Sequence, residues 1–171
     1  MFAQPQARTD MADPKHQLDA IAKVDFEKTR LLNKEEARLL PVLERAARAA
    51  NQGHRVMAQT SLGEVIAPTK RGVSASDAQA AFASINSKRL DFAIFDRFGL
   101  LVCAVEYQGS GHHQGKAFMR DAVKKEALRR AGVPLVEVQR NYVPYEIEDI
   151  IGRILTPSEA RVGKSHTTVH V

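Results

Sequence analysis

The chain has 171 residues, about one ordinary domain, and is long enough to bury a core without disulfides. Its 44% hydrophobic and 26% charged content excludes global disorder, and no apolar run approaches the roughly 20 residues that cross a bilayer. The 25 Lys and Arg against 20 Asp and Glu leave a formal net charge of +5, which favours polyanionic partners without proving them.

The opening residues, MFAQPQARTDMADPKHQ, lack the apolar core of a secretory signal. A single cysteine, Cys103, excludes an intramolecular disulfide and a cysteine zinc cage. The expected location is the cytoplasm, with no membrane association.

Residues 1–29 read as a polar arm carrying Pro5 and Pro14. A short helix is expected there from about Lys15 to Lys28, where Leu18, Ile21, Ala22 and Phe26 fall near helical spacing. The folded domain is expected over 30–156 and a flexible polar tail over 157–171. Asn33 with Glu36 resembles a capping box, and Leu39, Leu40, Leu43, Ala46, Ala47 and Ala50 form an apolar stripe behind it. Pro41 should kink or restart this helix, and Gly53 is a natural left-handed cap. His54 to Ile66 reads as extended. Ala67 to Ser76 reads as loop, with Ser76 capping a short helix through Ile85.

Leu90 to Phe95 and Leu100 to Tyr107 are the best strand candidates, with Asp96-Arg-Phe-Gly99 as the turn between them. Gly109 to Gly115 is a loop rich in glycine and histidine. Lys116 to Ala131 reads as an amphipathic helix closed by Gly132 and Pro134. Leu135 to Val138 is a short strand and Tyr145 to Leu155 a last helix. A strand–helix–strand unit implies a parallel pair, so the architecture is a mixed sheet covered by helices, α/β or α+β.

Acidic residues are poor strand formers. Yet Asp91 opens one apolar strand and Glu106 closes the next. Alternation places Asp91 with Ala93 and Phe95, and Glu106 with Ala104 and Gln108. A two-residue turn at Arg97-Phe98 would set Asp91 opposite Ala104, with Glu106 one diagonal step away, about 7–8 Å. A one-residue slip would separate the two carboxylates. Converging carboxylates invite a hard cation such as Mg²⁺, which can activate water and stabilise charge on a phosphodiester. The plainer alternative is a pair of rim residues, each paired with Arg89 or a lysine.

His112 and His113 on the glycine-rich loop suit a general base, a phosphate contact or a metal ligand, or simply a solvated loop. The following helix carries Lys116, Arg120, Lys124, Lys125, Arg129 and Arg130 against Asp121 and Glu126, which suits phosphate-backbone binding or a solvated face. Without Trp or an aromatic run, a base-stacking platform has little support.

Together, the run RLDFAIFDRFGLLVCAVEYQGSGHHQGKAFMRDAVKKEALRRAGVPLVEV resembles the core of the PD-(D/E)xK nuclease superfamily, in the bacterial branch related to very-short-patch-repair endonucleases, which includes domains of unknown function. The matching positions are Asp91-Phe92, Glu106, Gly109, His112, Arg120-Asp121 and Ala131 to Leu135. The helix opening Leu32-Asn-Lys-Glu-Glu-Ala resembles the family's first helix, with Glu35 or Glu36 as its acidic residue. The resemblance implies a restriction-endonuclease-like core: a four-stranded mixed sheet flanked by helices in αβββαβ order. It implies Mg²⁺-dependent cleavage of DNA, with Mn²⁺ as a substitute, in repair, restriction or mobile-element processing.

In this reading Asp91, Glu106 and the Tyr107 carbonyl hold the metal. Gln108 positions water, and His112 acts as base or phosphate contact. Lys88, Arg89, Lys116, Arg120 and Lys124 bind nucleic acid, and Glu36, His113 and Asp121 are accessory. One departure stands out: position 108, Lys in the superfamily motif and often Asp in this branch, is Gln. A catalytically inactive domain of this fold that binds DNA or a protein partner is therefore the alternative. A third reading is an interaction protein whose sheet is only scaffold. No particular protein partner is legible.

Overall fold

The computed structural model describes residues 13–69, 71–109, 116–156 and 168–170, with only the backbone path given for 116–118, 120 and 168–170. The chain divides into two units, Met1–Arg30 and Leu31–Val171. In the first, helix α1 (Pro14–Ile21) starts at Asp13, whose carboxylate accepts the Lys15 N–H at 2.9 Å. It stops at Ile21, seven residues short of the expected Lys28, and none of its side chains is buried to hold a longer helix.

The second unit opens with α2 (Lys34–Ala49). Asn33 Oδ1 accepts the N–H groups of Glu35 and Glu36, and Glu36 returns a bond to the Asn33 N–H, a complete capping box. The helix does not restart at Pro41: α2 runs through it. Pro41 and Ala37, whose carbonyl loses its partner, both lie on the exposed side, where water reaches the freed group. Strand β1 (Arg55–Ser61) is shorter than the extended stretch expected, because Leu62–Val65 turn into a short helix, α3. Leu62 is fully buried there. Helix α4 (Ala75–Asn86) is capped by Ser74, not Ser76: Ser74 Oγ accepts the Asp77 N–H.

Strands β2 (Arg89–Phe95) and β3 (Leu101–Gln108) form an antiparallel hairpin, and helix α5 (Lys116–Ala131) crosses over to β4 (Leu135–Gln139), parallel to β3. Helix α6 (Pro144–Leu155) follows. The four strands make the expected mixed sheet of an α+β fold. Residues Thr168–His170, inside the expected tail, add a short fifth strand, β5, parallel to β4, so the strand order is β1-β2-β3-β4-β5. The rest of that tail lies outside the described residues.

The sheet has two covered faces. On one, Phe92, Ile94, Cys103, Val105, Val136 and Val138 pack with Leu39 and Leu43 of α2 and Ile147 and Ile151 of α6. On the other, Ala93, Phe95, Ala104 and Leu135 pack with Leu62, Ile85 and Leu128. The second face positions the polar site, because α5 lies on it.

Candidate active site

The turn sets the geometry. Asp96 Oδ1 accepts the N–H groups of Phe98 and Leu100, the Asp96 N–H bonds to the Leu100 carbonyl, and Gly99 takes the left-handed conformation (φ 83°) that closes such a loop. The loop is thus three residues, not two. One more residue is absorbed between Phe95–Leu101 and Ile94–Cys103, where the register shifts. The two offsets add to two residues. Beyond them Ala93 pairs with Ala104 and Phe92 with Val105, so the next position sets Asp91 opposite Glu106 instead of Ala104. In the parallel pair, Glu106 stands beside Glu137. A row of three acids, Asp91, Glu106 and Glu137, therefore crosses the α5 face of the sheet.

Helix α5 answers this row with consecutive lysines. Lys124 Nζ donates to Glu106 Oε2 at 2.6 Å and to the Arg89 carbonyl at 3.4 Å, and lies 3.8 Å from Asp121 Oδ1. Lys125 Nζ lies 2.7 Å from Glu137 Oε1, which also accepts the Gln108 Nε2–H at 2.9 Å. Asp91 Oδ2 accepts the Tyr107 backbone N–H at 2.9 Å. In an extended strand a residue's N–H and C=O lie on one edge, so the Tyr107 carbonyl shares the Asp91 side of β3.

Burial dominates the electrostatics. Desolvation raises Glu106 to about 7, with repulsion from Asp91 and Asp121 adding to it, and the Lys124 ion pair offsets only part of this. Asp91 is also raised, chiefly by burial, against the lowering effects of the Tyr107 N–H and Lys124. Glu106 Oε1 is buried with no hydrogen-bond partner among the described residues. An orphaned carboxylate oxygen beside a second carboxylate and a carbonyl fits a hard divalent cation, which takes one or two carboxylates and completes its shell with water. No group of three or more His, Cys, Asp or Glu among the described residues is arranged to hold a metal ion.

The remaining candidates fall in different places. Glu36 is spent on the capping box, whereas Glu35 accepts the Tyr107 Oη–H at 2.9 Å and lies 3.6 Å from Arg140. Tyr107 thereby ties α2 to the strand that carries Glu106. Lys88 Nζ donates to the Ser84 carbonyl at the end of α4, and Arg89 is exposed beside Asp91. Lys124 is only 14% exposed and belongs with the carboxylates rather than with an outer phosphate-binding surface. Lys116 and Arg120 occupy the first turns of α5, where only the backbone path is described. His112 and His113 lie outside the described residues. Sequence reasoning passed over Glu137, and read Lys125 only as one of the basic residues along α5. The signal was present, since Glu137 interrupts the apolar Leu135-Val-Glu-Val138 just as Asp91 and Glu106 interrupt their strands.

Among the described residues no helix is long and apolar enough to cross a membrane. No solved structure matches the chain. An uncharacterized protein of Haemophilus influenzae is 37% identical over 148 residues, spanning 86% of this chain and 74% of its own length. Uncharacterized protein y4bI of Sinorhizobium fredii is 37% identical over 130 residues, spanning 75% of this chain and 88% of its own. The family described as a protein of unknown function (DUF2726) matches residues 28–156, three-quarters of the sequence, and the chain belongs to that family.

Proposed function

We propose that this protein is a metal-dependent nuclease of the PD-(D/E)xK type, hydrolysing phosphodiester bonds in DNA with Mg²⁺, or Mn²⁺ in its place. The observation that carries the reading is the Asp91–Glu106 pair on one face of the β2–β3 hairpin, with an orphaned Glu106 oxygen. Asp91, Glu106 and the Tyr107 carbonyl would hold the cation, which supplies activated water and neutralises charge on the phosphate when bound. Asp91 is fixed for this by the Tyr107 N–H.

Lys124 brings to Glu106 the positive charge that Gln108 cannot supply. The Gln108 amide nitrogen donates to Glu137 Oε1, which fixes the side chain that positions the attacking water in this reading. His112 accepts the proton of that water or contacts the scissile phosphate. Lys116 and Arg120 bind flanking phosphates. Repair, restriction or mobile-element processing in the cytoplasm fits such an activity.

The test is a cleavage assay over duplex, single-stranded, mismatched and branched DNA with Mg²⁺, Mn²⁺ or chelator. The parent should cut at least one substrate only with metal. Asp91→Ala and Glu106→Ala should fall to background while keeping the parent's circular dichroism. Equal cleavage by both variants overturns the assignment.

A second reading has its own support. Gln108 in place of a charged residue, and the lack of a three-ligand cluster among the described residues, favour an inactive domain of this fold that binds DNA or a protein partner. Calorimetry separates the two: salt-dependent DNA binding without Mg²⁺ or Mn²⁺ binding selects the inactive module.

A further inference from the structure

Gln59 lies inside the edge strand β1, and its backbone is left-handed, with φ 51°. Pairing is regular on both sides of it: Ala58 with Phe92, and Thr60 with Leu90. The position between them sets Gln59 opposite Asp91. Gln59, Asp91, Glu106 and Glu137 thus occupy neighbouring register positions on four strands.

A left-handed residue within a strand is uncommon, and Gln lacks the local hydrogen bonding that lets Asn or Asp settle there. Glycine would adopt the conformation freely. Such conformations persist where the surroundings over-determine them, and they gather at binding and catalytic sites. The Gln59 side chain is half-buried, and its carboxamide makes no hydrogen bond to a described residue. Its two donors and its acceptor are thus without a partner among the described residues. β1 is the edge strand of the sheet, with no strand outside it among the described residues.

We propose that Gln59 is a substrate-contact residue of the Asp91–Glu106 site, donating an amide N–H to a phosphate oxygen of a polynucleotide strand that passes along the β1 edge. This rests on the nuclease reading and names how that site holds its substrate. A phosphate oxygen suits the position, because the neighbouring carboxylates would repel it unless a cation and a neutral donor approach it together.

The experiment compares the parent with Gln59→Gly and Gln59→Asn. It measures steady-state cleavage of the DNA that the parent cuts, Mg²⁺ binding by calorimetry, and thermal unfolding. Gln59→Gly should unfold at the same temperature or higher and bind Mg²⁺ as the parent does. Its KM should rise about tenfold, the loss expected for one charge-assisted hydrogen bond, with kcat within about threefold. Gln59→Asn, which keeps the amide and tolerates the backbone, should recover most of the KM. A parental KM in Gln59→Gly overturns the inference and leaves the nuclease reading standing. So does a fall in stability and kcat that Gln59→Asn does not rescue, since that marks a structural role. A parent that neither binds Mg²⁺ nor cuts DNA overturns the nuclease reading, and this inference with it.

Discussion

Lys124 and Glu106 form a 2.6 Å ion pair that does not return the carboxyl to its ordinary range. Burial and the facing Asp91 raise Glu106 to about 7. The pair is therefore only partly charge-compensated at neutral pH, and a second cation has something to gain by binding.

The pH dependence of stability follows from that shift. A carboxyl whose folded value lies above its unfolded one binds more protons in the folded state, so stability falls as pH rises between the two values. For Glu106 the window runs from 4.5 to about 7, and Asp91 acts in the same direction. The urea midpoint should drop from pH 5 to pH 8, and Glu106→Gln should flatten most of the drop. Mg²⁺ should raise the midpoint at pH 8 more than at pH 5, because the ion needs the deprotonated carboxylate. A midpoint rising with pH over this window, with Mg²⁺ without effect at either end, would contradict the electrostatic picture.

Lys124→Met separates metal binding from turnover. Losing the ammonium removes the partner of Glu106 Oε2 and pushes that carboxyl higher still. Once the carboxyl is deprotonated, however, the variant lacks a cation that competes with Mg²⁺ for the same carboxylate. Mg²⁺ affinity should hold or tighten in calorimetry at pH 8, while cleavage falls by tenfold or more. Lys124→Arg should keep some charge at the site but misplace it, giving an intermediate rate. Parental cleavage by Lys124→Met would show that the lysine serves only to fill the space under α5.

How legible the site is in the sequence depends on parity rather than on the exact turn. A two-residue turn and the observed loop plus bulge differ by two residues, and an even offset returns every side chain of β3 to the same face. The shared face of Asp91 and Glu106 was therefore readable, whereas their direct opposition was not. The bulge near Phe95 has no local sequence signal, and Gly99 and Asp96 announce a turn without fixing its length. The stretch after Ser61 was misread for a related reason. Leu62 and Val65 suit a strand by propensity, but the backbone turns there to bury Leu62 beside Ile85 and Leu90, a contact distant in sequence. The helix bearing Lys124 shows the converse. Its basic residues read as a solvated or DNA-facing surface, and only packing under the sheet reveals that two of them point at acids.

Glu137 is 2% exposed, so its carboxylate depends on Lys125 and Gln108 for compensation. Glu137→Ala should destabilise by about 3 kcal/mol, the range for breaking a buried pair, reduced slightly because Lys125 can turn to solvent. Glu137→Gln keeps an acceptor for the Gln108 amide and should lose less stability. If Gln108 orients a water, Glu137→Gln should also retain more cleavage than Glu137→Ala after both are normalised for folded fraction. Equal residual rates in the two variants would mean that the Gln108 contact has no bearing on turnover.

The smallest residues at the site decide how near the lysines come. Ala93 and Ala104 pair directly, both at 0% exposure, and pack in the cluster that includes Leu128 of α5. A larger side chain at either position meets a filled core, at a cost of about 1–3 kcal/mol. It also tends to lift α5 from the sheet. Ala104→Val should therefore weaken Lys124–Glu106 without touching either residue: a modest fall in the urea midpoint, together with a fall in cleavage approaching that of Lys124→Met. The site geometry predicts that the activity loss exceeds what the unfolded fraction explains. If cleavage tracks folded protein alone, the helix has room to spare, and the close approach of Lys124 to Glu106 does not depend on the two alanines.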